Sequence, residues 1–362
     1  MDMQPVGAQI RIHPLKDSLY ISIMSTFWHT QPAPGRGEVV PLEATDEPVT
    51  LPDGLSWSTC THNELTNFME HHYLQDEEMN LIYGKDTLSW LLEGTPEWGQ
   101  ISLRDAKNKL VGYITAAPSV AVCRGKDVRV VVINLLCVHK KSRSRGLAPL
   151  LIREATRRAV SRGITQALYT AVAKLPGAVT EATYWHRILN VEVARACGFF
   201  TSARPVRNAL DVRGRSFMRE MREEDVAHVQ RMLYVHGTQF ALTLSPTEAY
   251  ARSLLPRRGV LHSFISEEGD RFVSFYRIGC RYKLSGETLE MAYLMHAIGE
   301  GAVRDAVILA KNSGYHVLNS LNIGARDLDA NKFVPGISDI RYYMYNWNPG
   351  AIPAHEVDVI LP

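Results

Sequence analysis

One segment limits the possible folds more than any other. Residues 128–138 form an apolar run broken only by Arg129 and Asn134. A run this short that is apolar on both faces reads as a strand covered on both sides. A basic, glycine-bearing turn follows at 139–146. Then comes an amphipathic stretch at 149–162. Leu150, Leu151, Ala155 and Ala159 mark its apolar side, and Arg153, Arg157, Arg158 and Arg162 face outward. Pro149 suits a first helical turn and Gly163 a C-terminal cap. Residues 167–172 make the next strand. Strand, turn, helix and strand in this order predict a βαβ-like unit and an α/β chain.

The rest of the chain fits around that unit. At roughly 150 residues per domain, 362 residues allow about two domains. Residues 1–50 are rich in proline and glycine and read as an arm lying over a domain. Short strands are expected at 55–60, 99–104 and 110–117, and helices at 64–73 and 85–92. The pattern restarts near Arg213. A strand at 217–221 precedes a helix opened by Glu223, Glu224 and Asp225 and carrying Val226, Val229 and Leu233. Strands follow near 260–266, 273–278 and 289–295. A helix at 303–313, a strand at 316–321 and a late aromatic strand at 341–347 complete the chain. The expected division is an arm (1–50), an N-terminal half (51–212) and a C-terminal half (213–362).

Composition excludes several classes of function. Hydrophobic residues make up 46% and charged residues 22%, as in an ordinary globular protein. Forty basic residues against 38 acidic ones leave a net charge of +2. That balance gives no global reason to expect nucleic acid as a partner. No run approaches the roughly 20 apolar residues of a membrane span, and no signal peptide is visible. Five scattered cysteines, never spaced CxxC, argue against a disulfide framework or a metal site and for a reducing, cytoplasmic setting.

Chemistry concentrates in the central turn. Arg143-Ser144-Arg145-Gly146-Leu147-Ala148 fits R-x-x-G-x-A between a buried strand and a helix. Such a turn can aim free backbone N–H groups and the positive end of a helix at an anion. His139, Lys140 and Lys141 add charge suited to a polyphosphate. The alternative is a solvated basic corner.

Beyond this turn, six blocks resemble the N-myristoyltransferase family in order and spacing. They are Phe27-Trp28-His29-Thr30-Gln31-Pro32; the run from Ile133 to Lys141, continuing from Leu147 to Ile152; Tyr169-Thr170-Ala171; residues 184–190; Ser274-Phe275-Tyr276-Arg277-Ile278; and residues 341–347. The resemblance implies two fused acetyltransferase-like (GNAT) halves around a mixed sheet, in a pseudo-twofold arrangement. It implies transfer of myristate from myristoyl-CoA to the N-terminal glycine of peptides and nascent proteins. Backbone N–H groups matching Leu135 and Leu136 would form an oxyanion hole. Asn134 and Thr170 would lie beside the attacking amine, and Phe27 and Trp28 would flank the acyl-CoA. The loop from Arg143 through Ser144, Arg145, Gly146 and Leu147 to Ala148 would hold its pyrophosphate. A terminal carboxylate, here that of Pro362, would serve as base. Myristoyl-CoA would be a co-substrate, with no permanent cofactor and no metal, and the expected state is a monomer.

Two departures from the family pattern stand out. Its members usually end in leucine or another flexible residue, where this sequence has Pro362. A glycine-rich G-x-G-D-G loop is replaced by residues 334–339, with Ile337 at the aspartate's place and Asp339 two residues later. Asp76-Glu77-Glu78 resembles the acidic loop that meets basic substrate side chains, and reads equally as a solvated turn. His139 reads as a general base, a phosphate contact or a surface residue. His186 reads first as a packed histidine, His296 as groove lining, and Cys137 as a small buried hydrophobe rather than an acyl-carrying nucleophile. Two other functions fit the same residues: a short-chain N-acetyltransferase, and a non-catalytic acyl-CoA or peptide-binding module.

Overall fold

The computed structural model describes residues 27–28, 30–32, 34–73, 79–199, 212–283 and 285–362. Asp76-Glu77-Glu78 lies outside the described residues, as do most of the N-terminal arm and the stretch 200–211 beside the expected division at 212. Seven α-helices are described: α1 His62–His72, α2 Lys85–Leu91, α3 Leu147–Val160, α4 Val191–Ala196, α5 Val226–Gly237, α6 Glu248–Ser253 and α7 Ala302–Asn312. The N-terminal strands are β1 Leu55–Ser58, β2 Met79–Ile82, β3 Gln100–Asp105, β4 Leu110–Cys123, β5 Lys126–Val138, β6 Gln166–Ala171 and β7 Ala178–Ile188. The C-terminal strands are β8 Arg219–Glu220, β9 Leu242–Leu244, β10 Leu261–Ile265, β11 Phe272–Tyr282, β12 Thr288–Ile298, β13 Val317–Leu321, β14 Val334–Tyr345 and β15 Val357–Asp358.

These strands form one mixed sheet in the order β1-β3-β4-β5-β6-β14-β7-β13-β12-β11-β10-β8, with β2, β9 and β15 attached at its flanks. Two units of the same design sit symmetrically in that order. In the first, β5 leads through α3 to β6, and Val130–Val132 pair in parallel with Gln166–Leu168. In the second, β12 leads through α7 to β13, and Met291–Tyr293 pair in parallel with Val317–Asn319. Each helix starts at a glycine in the left-handed region, Gly146 with φ 71° and Gly301 with φ 77°. Side chains other than glycine rarely adopt that backbone. The restart expected near Arg213 is therefore a repeat of architecture. The strands between the units are exchanged: β14 lies between β6 and β7, and β7 between β14 and β13.

Each helix covers one face of the sheet. Leu147, Leu151, Ala155 and Ala159 of α3 pack on Ile101, Leu103, Ile114 and Val131. Ala306, Val307 and Ala310 of α7 pack on Val273, Phe275 and Leu294. α3 begins at Leu147, two residues before the expected start, because the left-handed turn at Gly146 already sets its first turn. β4 continues past the expected end at 117 to Cys123, carried by a long hairpin with β5 and by pairing with β9. Strand β7 and helices α4 and α6 have no counterpart in the sequence reading. No described helix is long and apolar enough to cross a membrane.

Candidate active site

The site is built on an irregularity in β5. Tyr113 of β4 faces Cys137 and Thr115 faces Asn134, so Leu135 and Leu136 together oppose Ile114. This is a bulge, and a bulge leaves an extra residue outside the ladder. Leu135 has φ 53°, a backbone region that costs a branched side chain about 1–3 kcal/mol. Asn134 holds the kink. Its Oδ1 accepts the Leu135 N–H at 2.8 Å, and Thr115 Oγ1 donates to its carbonyl at 2.9 Å. Asn134 Nδ2 donates to Pro362 O at 2.5 Å. The structure thus brings together Asn134, Leu135, Leu136 and Pro362. Thr170 lies on β6, and the β5–β6 register, if continued, sets it level with Asn134. Pairing stops two residues earlier, at Val132 and Leu168, so the strands separate beside the bulge.

A cavity of about 570 Å³, part of it open to solvent, opens between the separating strands and α3. Its walls come from Val131, Ile133 and Leu136 of β5, Ile152, Ala155 and Ala159 of α3, and Tyr169 and Ala167 of β6. The span from Leu136 to Val131 along β5 is about 16 Å at roughly 3.3 Å per residue. Nearly all of the lining is hydrocarbon. Thr156, Thr165, Gln166, Tyr169, Tyr345 and Trp28 are the lining residues with polar side-chain atoms. Trp28 closes one side, its ring stacked 5.5 Å from Tyr169, which stacks in turn 5.2 Å from Tyr343. Phe27 meets Trp28 edge-on at 5.3 Å, with the Arg153 guanidinium 5.7 Å above its ring. Phe27 and Trp28 therefore flank the slot whose walls the βαβ unit supplies.

The basic turn forms a short 3-10 helix, Lys140–Arg145, leading through Gly146 into α3. Ser144 and Arg145 lie within it, and Leu147 and Ala148 open α3 with their side chains buried. The first N–H groups of a helix have no partner within it and can take an anion. Arg143 and Arg145 differ in placement. The Arg143 Nη2 donates to His72 O at 2.7 Å, which ties the turn to α1, whereas Arg145 is exposed. The His139 and His72 rings lie 4.1 Å apart between centroids, tilted by 46° to one another. Burial, reinforced by the His139 ring, pushes His72 down to about 4. Burial, with Lys109 and Lys141 nearby, also lowers His139.

The remaining candidates take structural places. Burial pushes the Cys137 thiol up to about 12, which leaves almost no thiolate for nucleophilic attack. His186 is buried, with Nδ1 2.7 Å from Asn319 Oδ1. His296 Nε2 lies 2.8 Å from the Tyr250 hydroxyl. The segment expected as a loop at 334–339 is instead the start of β14, paired with β7, and Gly336 runs so close over His186 that a Cβ there would clash with its Nε2. Asp339 accepts a 2.7 Å bond from Thr183 Oγ1, and Ile337 is exposed. Among the described residues no group of three or more His, Cys, Asp or Glu is placed to hold a metal ion.

Comparison with known proteins gives the family of the whole chain. The model of the myristoyl-CoA:protein N-myristoyltransferase N-terminal domain matches residues 38–182, and that of the C-terminal domain matches residues 206–358. The chain belongs to the N-myristoyltransferase family. A probable glycylpeptide N-tetradecanoyltransferase of Caenorhabditis elegans is 31% identical, over 92% of this chain and 85% of its own. Glycylpeptide N-tetradecanoyltransferase 2 of Danio rerio is 32% identical over 92% and 77%. Glycylpeptide N-tetradecanoyltransferase 1 of Arabidopsis thaliana is 30% identical over 97% and 92%. Saccharomyces cerevisiae N-myristoyltransferase, solved with bound myristoyl-CoA, superposes with a TM-score of 0.84 over 93% of this chain and 94% of its own at 24% identity.

Proposed function

We infer that the protein transfers myristate from myristoyl-CoA to the N-terminal glycine of target proteins. The observation that carries the reading is the apolar slot running from the β5 bulge along α3, in a chain whose relatives are named for that reaction. Myristoyl-CoA is the co-substrate, with its acyl chain in the slot and its pyrophosphate at the start of α3, near Arg145, Gly146, Leu147 and Ala148. A slot of this length has no use in transferring an acetyl group, so the short-chain reading gains no support.

The proposed chemistry is direct. A glycine amine has a pKa of about 8 and attacks only after losing a proton. The Pro362 carboxylate takes that proton, with Asn134 orienting it and Thr170 beside the amine. The amine forms a bond to the thioester carbonyl carbon, the C–S bond breaks, and coenzyme A leaves as the thiolate. Negative charge develops on the carbonyl oxygen meanwhile. The Leu135 and Leu136 N–H groups stabilise it, and the oxygen competes for the Leu135 N–H with Asn134 Oδ1. One such donor is worth about 10²–10³ in rate. Action as a cytoplasmic monomer belongs to the same proposal, and light scattering tests the oligomeric part.

The test is thiol release from myristoyl-CoA by untagged protein. Release is expected with a glycine-first peptide and not with an alanine-first control. Absence of glycine-dependent release in protein that binds myristoyl-CoA overturns the reading in favour of a binding module.

A further inference from the structure

Pro362 can meet Asn134 only if the residues before it are held in one register; Val357 and Val359 bury their side chains there, but the backbone pairing of β15 is short. It has two residues, and Val357 and Asp358 pair in parallel with Leu242 and Thr243. Two backbone pairs specify register weakly, and a slip of one residue moves every later atom by about 3.3 Å. Tyr342 Oη donates to Val359 O at 2.7 Å, but any residue in that place would present the same carbonyl.

Asp358 supplies what the backbone lacks. Its side chain is 8% exposed, with Oδ1 3.9 Å from Nη2 of Arg326, which is itself 3% exposed. His236 Nε2 lies 3.6 Å from the other oxygen. Arg326 is fixed independently of the tail. Its Nη1 donates to Ser320 Oγ at 3.0 Å and its Nη2 to Met295 O at 2.5 Å, which ties it to β13 and β12. Gly324, with φ 68°, donates its N–H to Val357 O at 2.7 Å, and a Cβ there would come within 2.9 Å of Asp358 Oδ1. Thr243 Oγ1 donates to Asp358 O at 3.2 Å. This fitted pocket accepts an acid at position 358 and would face a valine after a one-residue slip in either direction. A buried ion pair with a single 3.9 Å approach is a poor source of stability, because desolvation offsets its attraction. The best-attested use of such a pair is to fix register.

We propose that Asp358, paired with Arg326, is a positioning residue that locks the 357–362 tail in the register placing Pro362 at Asn134. The proposal rests on the transferase reading above. A lone buried charge can unfold a protein, so the decisive variant removes both charges: Asp358→Asn with Arg326→Met. Myristoyl-CoA affinity stays within about twofold of wild type, because neither residue lines the slot. The single-turnover rate with prebound myristoyl-CoA falls about tenfold to a hundredfold, the scale of loss from misplacing a reacting group by an ångström or more. Amide exchange of the tail speeds up while that of α3 does not. Arg326→Lys, which keeps the charge, retains more of the rate than Arg326→Met. A double variant with full turnover, or one whose acyl-CoA affinity falls in step with its rate, overturns this inference alone. A wild-type protein without glycine-dependent release overturns the parent reading and this role with it.

Discussion

Asn134 uses one amide for two jobs, and each has a separate consequence. Its oxygen holds the Leu135 N–H in the bulge and its nitrogen holds Pro362. Asn134→Leu leaves a strained backbone N–H without its partner and the tail without its anchor. The expected result is a fall in single-turnover rate of about a hundredfold, the scale of loss when reacting groups are misplaced by an ångström or so. Myristoyl-CoA affinity should be nearly unchanged, since Asn134 does not line the slot. Rapid mixing with prebound acyl-CoA, beside equilibrium binding, checks both halves, and a matched loss of affinity would refute the assignment. Asn134 was visible in the sequence as the polar break in an apolar run. The family resemblance named Leu135, but its backbone conformation was not legible, because a leucine gives no sign of a positive φ. That bulge is set by Asn134, Thr115 and Ile114 together, which only tertiary structure brings into contact.

At the scale of the element, α3 bears both the slot and its support. Ala159 faces the cavity, so Ala159→Leu puts extra carbons into space meant for the acyl chain. Each methylene excluded from an apolar site loses about 0.8 kcal/mol, close to fourfold in affinity. Competition binding should then move preference from myristoyl-CoA toward lauroyl-CoA, and an unchanged preference would remove α3 from the acyl site. On the opposite side, Glu154 is fully buried and accepts from Arg157, Arg158 and the Val49 N–H. Arg157 continues to Thr45 O and Arg158 to Trp98 O, so this one carboxylate joins α3 to residues 45–49 and to the turn before β3. Glu154→Leu should destabilise the fold by about 3–5 kcal/mol in urea unfolding, the usual loss when one partner of a buried pair is removed. Burial raises the Glu154 pKa, but the bonds from Arg157, Arg158 and Val49 outweigh it and hold the carboxyl below its ordinary value. Its stabilising contribution is therefore complete above the ordinary glutamate pKa of about 4.3 and is lost as pH falls through the lower folded value. The gap between wild type and Glu154→Leu should narrow on acidification below pH 4. Helical periodicity made α3 legible. It could not separate Glu154 from the outward arginines, although arginines three and four residues later were a usable sign of pairing.

Across the whole molecule, the restart near Arg213 was legible because hydrophobic period and charge at helix starts are local signals. Exchange of β7 and β14 was not, because the partners of a strand are set by topology rather than by its own residues. β7 carries Glu181 and Thr183 among apolar positions and shows no clean alternation, so it read as a motif block rather than a strand. In the fold it has no neighbour from its own half: β14 lies on one side and β13 on the other. β6 likewise depends on β14 for its second edge. A fragment of residues 1–199 would therefore carry β7 with both edges bare and β6 with one. Bare edges are templates for aggregation, and a strand without neighbours adds conformational entropy with no ladder to offset it. The expected outcome is that fragment 1–199 alone shows no cooperative urea transition by circular dichroism. Mixed during refolding with 212–362, it should give a stoichiometric complex that releases thiol from myristoyl-CoA with a glycine-first peptide. A cooperative transition in 1–199 by itself would mean that the N-terminal half folds without the exchange. The slot would then be a property of one half, and the second half would be needed only for peptide and for the tail that carries Pro362.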